Sequence, residues 1–441
     1  MPGTSSSRLG SGRRSGGLPC QASRYGIKVV QLDLGDADFR AMLVGWLRAL
    51  SDEVIIDLNL VFDQLPGVYP TTLLKLWHRE LQRRSLTPHA AEQCLESDDG
   101  ELDEQLPVGH PVDFDWRFTP ASTLELVRLA LEGASAGEPV AHIGTPTTFL
   151  RCALPDAQHQ HVLLDRNTAV LDALVSRGIS PPHLMFGIDL HAVRRLHLSA
   201  GAAIVDPPWY LDDTLLFLGV ATELCRPDAT VVLCQPTGGT RPGVEHERAL
   251  LLDRVSALDL DLHALRSGGV RYLTPHFEAV SLRAAARGAN IPTSWRRGDV
   301  LVFNRLRGSV ATVQASAQDT QWREVRFGPV RIKLAERPTG ADLGFLVRGN
   351  VLATVSRRDP VRKRIGMWTS GNRVFTLTNS LVIGQLINLC NTDLARDVFS
   401  LQNTLAHAGA LGVSRDVASR LHHVLLVEIT EHRKYGGTRN A

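Results

Sequence analysis

The stretch Ala202-Ala203-Ile204-Val205-Asp206-Pro207-Pro208-Trp209 decides how the chain is read. Four apolar residues, two of them β-branched, make a short buried strand, and a carboxylate closes it. The two prolines that follow fix φ and restrict the residues before them, so the chain leaves the strand in an extended, rigid turn. Asp206 and Trp209 are then held at defined positions. The acid and nearby carbonyls can accept hydrogen bonds from an amine, and the indole offers a stacking plane worth ~1–3 kcal/mol to a base. A tight turn ending in a core tryptophan is the plainer reading, and the neighbouring sequence has to decide between the two.

Apolar segments recur on both sides of it: PVAHIG (139–144), HVLLD (161–165), HLMFGID (183–189) and ATVVLC (229–234), each bounded by Gly, Pro or Asp and separated by helical text. This alternation predicts an α/β domain with a parallel sheet over about 113–305. Val300-Leu301-Val302-Phe303, after Ser294-Trp295-Arg296-Arg297-Gly298-Asp299, is expected to add an antiparallel strand. Ligands of such sheets lie outside the carboxyl ends of the strands, and three consecutive strands end in an acid: Asp165, Asp189 and Asp206. Asp165 lies 21 residues beyond Gly144, the spacing at which a carboxylate at the second strand tip meets ribose hydroxyls. Gly144 stands alone where dinucleotide folds carry G-x-G-x-x-G, and Pro146 removes a backbone donor. A pyrophosphate cradle is therefore not expected, whereas an adenosine cofactor without phosphates, S-adenosyl-L-methionine being the obvious one, is compatible.

These residues resemble the S-adenosylmethionine-dependent amino-methyltransferases of the Rossmann class, whose fourth motif reads (N/D)-P-P-(Y/F/W). Phe118-Thr119-Pro120 with Leu124, Leu126 and Val127 is similar to the helix before their first motif, and Gly144 with Phe149-Leu150 to the remains of G-x-G-x-F-L. The resemblance covers about 115–285. It implies a Rossmann-like methyltransferase core in which Asp206, Pro207 and Trp209 are catalytic and Thr119, Gly144, Asp165 and Asp189 bind S-adenosyl-L-methionine. The methyl acceptor it implies is an amino nitrogen such as adenine N6 of DNA or RNA. Substrate candidates on the ligand edge are Tyr210, Arg241 for a phosphate or carboxylate, and His276 with Glu278; a structural Arg–Glu pair and a plain turn are their alternatives. Aminopropyltransferases of the branched-polyamine type also resemble this plan, with a winged-helix unit before a D-P-P Rossmann domain and decarboxylated S-adenosylmethionine as donor. Asp206, Asp212 and Asp213 are the acids available here for a polycation. A non-catalytic binding protein on the same scaffold is a third reading.

The 441 residues are 44% hydrophobic and 21% charged, with a mean hydropathy of −0.04, which suits two or three globular domains of about 150 residues. No run approaches the ~18 uncharged apolar residues of a membrane span. Residues 1–25 read as a disordered tail; Arg8, Arg13 and Arg14 precede no apolar segment, so no signal peptide is expected. Residues 26–85 read as a small winged-helix-like domain with strand text at Val29, Val30 and Leu32 and a helix from Thr71 that carries Lys75, His78, Arg79, Arg83 and Arg84. Residues 86–112 form an acidic linker, with seven acids between Glu92 and Glu104 and no Lys or Arg between Arg84 and Arg117. Residues 306–441 read as an α+β domain with β-like VRIKLAE and NVLATVS and two helices, after Leu381 and Ser414.

The net charge of +2 gives no global field, yet it averages an acidic linker with basic segments and so leaves a nucleic-acid partner open. Arg357 to Arg364, with the Trp368 loop beyond, is a candidate backbone-contacting run. Only five of the 48 basic residues are lysines, a bias that lowers the weight of any arginine cluster. The six cysteines are scattered without metal-type spacing, which predicts reduced thiols in a cytoplasm and no metal.

Overall fold

The computed structural model describes residues 36–65, 67–89, 105–153, 159–179, 183–186, 198–285, 291–307, 321–357 and 359–435. The strand text at Val29–Leu32, the acids from Glu92 to Glu104 and Asp189 lie outside them.

Four helices open the described chain: α1 (Asp36–Ala49), α2 (Asp52–Ile55), α3 (Leu58–Gln64) and α4 (Pro70–Arg84). Asp57 caps α3 by accepting from the Asn59 amide at 2.8 Å. Pro70 begins α4, where its fixed φ and missing N–H cost nothing. Leu43, Val61, Leu73 and Trp77 from these helices share one apolar core with Leu282 and Trp295 of the following domain, so the helical unit is packed onto it. Every described element of this unit is helical. On α4 the buried Glu80 binds Arg83 at 2.6 Å and Arg84 at 2.8 Å, which leaves Lys75, His78 and Arg79 as the exposed basic face.

The α/β domain follows: β1 (Arg117–Phe118), α5 (Pro120–Gly133), β2 (Val140–Ile143), α6 (Pro146–Ala153), β3 (His161–Asp165), α7 (Thr168–Ser176), β4 (Leu184–Phe186), β5 (Ala200–Val205), α8 (Leu211–Leu224), β6 (Cys225–Pro236), α9 (Val244–Val255), β7 (Leu260–Leu273), α10 (His276–Ala285) and β8 (Arg296–Arg305). The sheet order is β1-β7-β8-β6-β5-β2-β3-β4. From β4 to β6 all pairs are parallel, and β8 runs antiparallel between β6 and β7, as expected for the Val300–Phe303 text. Strands β2 to β6 thus follow the Rossmann order 3-2-1-4-5, and the domain is a Rossmann-like α/β core.

The central strands read as unbroken apolar runs because both faces are covered. Ala141, Ile143, Ala203 and Val205 pack against α8 and α9, while Val140, Ala202 and Ile204 pack against α5. The chain order reverses between β2 and β5, and the crevice that opens at their carboxyl ends is where an open α/β sheet binds ligands.

A second sheet, β12-β11-β10-β9, is antiparallel and consists of β9 (Trp322–Phe327), β10 (Val330–Ala335), β11 (Met367–Thr369) and β12 (Val374–Phe375). VRIKLAE forms β10, whereas NVLATVS contributes only an isolated pairing of Val351 with Arg373. Three helices cover this sheet rather than the expected two: α11 (Ser380–Ala395), α12 (Leu401–Ala410) and α13 (Arg415–Tyr435). The additional one, α12, starts at Ser400, whose hydroxyl accepts from the Asn403 amide at 3.2 Å.

Residues 105–112, at the end of the acidic stretch, pack on both folded parts, Leu106 with Phe149 and Leu163 of the α/β domain and His110 on this sheet. Leu106 and His110 are buried, and His110 Nε2 lies 2.9 Å from the Trp368 carbonyl. The basic run after Ser356 also turns inward. Arg357 pairs with Asp213 at 2.8 Å, and Arg362 lies over the rings of Phe114 and Trp368, 4.8 Å from each. Trp368 is fully buried and cannot stack on a base; Lys363 and Arg364 remain exposed. Among the described residues no helix is long and apolar enough to cross a membrane.

Candidate active site

The parallel register levels three strand ends. Ile143 of β2 is paired with Leu164 of β3 and with Val205 of β5, so the next residues, Gly144, Asp165 and Asp206, lie side by side at one edge. The Gly144 amide donates to the Leu164 carbonyl at 2.9 Å, and the Asp206 amide to the Ile143 carbonyl at 3.1 Å. Gly144 has φ +67°, and a Cβ there would stand 3.0 Å from the Asp206 carbonyl oxygen and 3.1 Å from Phe217. The single glycine is required by this close approach of the first turn to the D-P-P turn.

These ends open into a cavity of about 280 Å³. Asp206 stands on its wall with Tyr272 donating to Oδ1 at 2.8 Å. Burial pushes the Asp206 carboxyl up to about 7, against the pull of Tyr272 and Arg296. Trp209 meets Tyr272 edge-on, at 5.5 Å between centroids. The Arg296 guanidinium is stacked between two indoles, 4.0 Å from the Trp116 centroid and 3.8 Å from that of Trp209. β8 pairs Arg296 directly opposite Tyr272.

Asp165 is buried and accepts from the Asn167 amide at 2.8 Å. Burial pushes its carboxyl up to about 7 despite that hydrogen bond, with Asp115 and Asp113 adding repulsion. Asn167 is held from the second sheet: fully buried Arg331 donates to its Oδ1 at 3.1 Å, to Asp113 at 2.7 Å and to Glu324 at 2.7 Å. Lys333 also binds Asp113, and the two cations keep that carboxyl at about 2 although its burial opposes this. Across the cavity, burial pushes Glu278 up to about 7 while the Tyr69 hydroxyl hydrogen-bonds to it. The same hydroxyl lies 2.8 Å from the Ala353 carbonyl. The helical unit supplies Gly67 and Tyr69 to the wall and the C-terminal domain Thr354, Val355 and Ser356, so all three parts of the chain line one cavity.

Of the residues expected from sequence, Gly144, Asp165, Asp206, Pro207, Trp209, Tyr210, Arg241 and Glu278 are on this wall. Arg241 is bound to Glu247 at 2.6 Å and to the Trp209 carbonyl at 2.9 Å, the structural pair that its alternative reading described. Thr119 is not on the wall; it is the buried N-cap of α5, accepting from the Ser122 amide at 3.3 Å. His276 is also elsewhere, at the start of α10 with its ring 5.7 Å from that of His432, and burial pushes its pKa down to about 3. Asp189 is outside the described residues.

The sequence did not single out Tyr69, Asp113, Asp115, Trp116, Tyr272 or Arg296. Tyr272 and Arg296 had a signal available: β8 runs antiparallel and so brings its first residue, Arg296, to the ligand edge, whereas β7 runs the same way as β6 and brings Tyr272 there near its end. Tyr69, Asp113 and Asp115 reach the cavity from outside the strands, and no local pattern announces that.

An adenosine cofactor without phosphates fits the residues present. One oxygen of Asp165 is occupied by the Asn167 amide, which leaves the other for ribose hydroxyls, and Pro146 at the start of α6 withholds the donor that a phosphate would need.

No protein-family model matches this chain, and no curated protein matches it. Among solved structures it is similar to the branched-chain polyamine synthase from Thermus thermophilus in complex with N4-aminopropylspermidine and 5′-methylthioadenosine, at 18% identity over 68% of this chain and 96% of that chain, TM-score 0.44. It is similar to a mutant 16S rRNA (adenine(1408)-N(1))-methyltransferase from Catenulisporales acidiphilia with cosubstrate SAM, at 20% identity over 43% of this chain and 94% of that one, TM-score 0.28. A third is the N-methyltransferase NodS from Bradyrhizobium japonicum WM9, at 12% identity over 42% and 96% of the two chains, TM-score 0.27. The chain's own strand order, with β8 inserted antiparallel beside β6, is what assigns it to the α/β class with a Rossmann-like core.

Proposed function

We propose that this chain is a transferase that uses S-adenosyl-L-methionine to alkylate an amine nitrogen, with methyl transfer to an amino group such as adenine N6 of DNA or RNA as the first reading. The observation that carries it is the Asp206–Tyr272 pair at the end of β5, level with Asp165 and the Gly144 turn in one cavity. When bound, S-adenosylmethionine supplies an electrophilic alkyl carbon on a sulfonium sulfur. Asp165 accepts from the ribose hydroxyls. Asp206, fixed by Tyr272, accepts a hydrogen of the acceptor amine and thereby turns the nitrogen lone pair toward the reacting carbon. Trp209 orients the acceptor with its ring plane. Alignment of this kind can supply about 7–11 kcal/mol of the barrier without covalent chemistry from the protein.

One observation favours a second reading, aminopropyl transfer from decarboxylated S-adenosylmethionine to a polyamine. Asp165 and Glu278 line the cavity with Asp206, a richer set of acids than the D-P-P loop alone offers, while Asp113 and Asp115 on the same wall are bound to Arg331, Lys333 and Arg117. A single experiment separates the readings: calorimetric titration with S-adenosylmethionine and its decarboxylated form, then mass analysis of DNA, RNA and polyamine pools for methyl or aminopropyl increments. Absence of heat at millimolar cofactor, or full transfer by Asp206→Ala, would sink both.

A further inference from the structure

Behind the Gly144 turn, three side chains with no part in the proposed chemistry converge in the apolar core. His142 on β2, Cys152 on α6 and His161 on β3 are all buried, and one potential ligand atom from each lies within 4.8 Å of the others. They are ten and nine residues apart along the chain, a spacing that matches no short metal motif. Phe149 packs edge-on against the His142 ring at 5.7 Å, and Leu150 and Leu163 complete an apolar wall.

The proton positions follow from the partners. The Thr148 hydroxyl donates its one proton to the Thr145 carbonyl at 2.8 Å, so toward His142 Nδ1, also at 2.8 Å, it can act only as an acceptor. His142 therefore carries its proton on Nδ1. Its Nε2 lone pair is aimed at His161 Nδ1, 3.1 Å away. A hydroxyl that fixes the tautomer of a buried histidine and points its lone pair at a second imidazole beside a thiol is the outer-sphere arrangement of metal-binding histidines.

We propose that His142 Nε2, His161 Nδ1 and Cys152 Sγ hold a closed-shell d10 cation, zinc(II) or copper(I), as a structural staple between β2, α6 and β3. Both ions take imidazole and thiolate together. Binding forms the metal–sulfur bond as the Cys152 thiol proton leaves to solvent, and the thiolate offsets the cation where water cannot. Copper(I) with one thiolate is neutral and satisfied by three ligands; zinc(II) keeps a positive charge and takes a fourth. The staple lies directly beneath Thr145 to Thr148, the start of α6, and would brace from behind a cofactor turn that lacks the usual glycines. It does not depend on the functional reading.

The test is metal analysis of the full chain purified without chelator or metal affinity resin, followed by stripping and titration with zinc(II), with copper(I) under reductant, and with cobalt(II) as a spectroscopic probe. The expected result is ~1 equivalent of zinc or copper per chain with proton release, and a thiolate-to-cobalt charge-transfer band that Cys152→Ala abolishes. Thr148→Val should weaken binding about 10- to 100-fold through loss of the outer hydroxyl. Should these variants fail to fold, the natural sequence decides alone: its melting temperature should fall in chelator and recover with the ion. A chain that takes up neither ion, shows no thiolate band and melts identically in chelator overturns the site.

Discussion

Tyr272 on β7 donates its phenolic hydrogen to Asp206 Oδ1 across 2.8 Å, tying the antiparallel side of the sheet to the acid that closes β5. Tyr272→Phe removes a hydrogen bond to a partly buried carboxylate, worth about 1.5–3 kcal/mol. The expected outcome is a fall in transfer rate on the order of 10- to 100-fold, larger than the fall in cofactor affinity because Asp165 is not touched. Single-turnover product formation against calorimetric affinity checks it.

Asp206, Asp165 and Glu278 are each pushed up to about 7, chiefly by burial. A carboxyl raised in the folded chain stays neutral there while the unfolded chain has already ionised, so its contribution to stability is lost as pH rises from the unfolded value to about 7. Asp206→Asn removes one such penalty. Its melting temperature relative to the natural sequence is expected to be higher at pH 8 than at pH 5. Buried His276, pushed down to about 3, acts in the opposite direction but cancels in this difference.

The same groups set the pH dependence of binding. A sulfonium ligand favours ionised Asp206, and ribose hydroxyls favour ionised Asp165, so cofactor affinity should rise as pH climbs through about 7. Calorimetry in buffers of different ionisation enthalpy should register proton release. Flat affinity between pH 6 and 8 would contradict the placement of both acids at the ligand.

Arg331 is the cation through which the second sheet reaches the cofactor side of the cavity. Arg331→Met leaves Asp113 and Glu324 short of a buried partner, a loss of about 3–5 kcal/mol, and releases Asn167. We expect a lowered denaturation midpoint together with a cofactor KM that rises by more than kcat falls. A variant that loses stability with KM unchanged would confine Arg331 to holding the two sheets together.

Gly144→Ala and Thr119→Ala should behave differently although both residues were read as cofactor contacts. At Gly144 a side chain incurs about 1–2 kcal/mol for its left-handed backbone and presses on the Asp206 carbonyl, so transfer should fall along with stability. Thr119→Ala removes a helix cap worth about 1 kcal/mol and should leave cofactor affinity intact. Parallel thermal melts and titrations distinguish them.

The central sheet was legible because strands covered on both faces must be apolar throughout, and the residue after each such run lands on the ligand edge. Asp165 and Asp206 followed from that rule, and so did β8 from its own apolar run. The acidic stretch was harder to read. Charge density describes how a segment behaves in water, yet His110 and Asp113 at its end are chosen for Trp368, Arg331 and Lys333, more than 200 residues away. Arg362 and Trp368 failed for the same reason: a basic and aromatic surface loop and a buried cation–π pair have the same local composition. Helix α12 lacked a long amphipathic period and was marked only by its serine cap.

Tyr69 has one hydroxyl proton and two acceptors in reach, the Glu278 carboxyl and the Ala353 carbonyl. With Glu278 neutral, its own proton serves Tyr69 and the phenol is free to hold Ala353. Once a bound cation draws Glu278 into its ionised form, the phenol must turn to the carboxylate, and Ala353 gives up its donor. A cation bound in the cavity would therefore be felt at Ala353 through a single hydrogen atom, shared between a helix before the sheet and a loop after it.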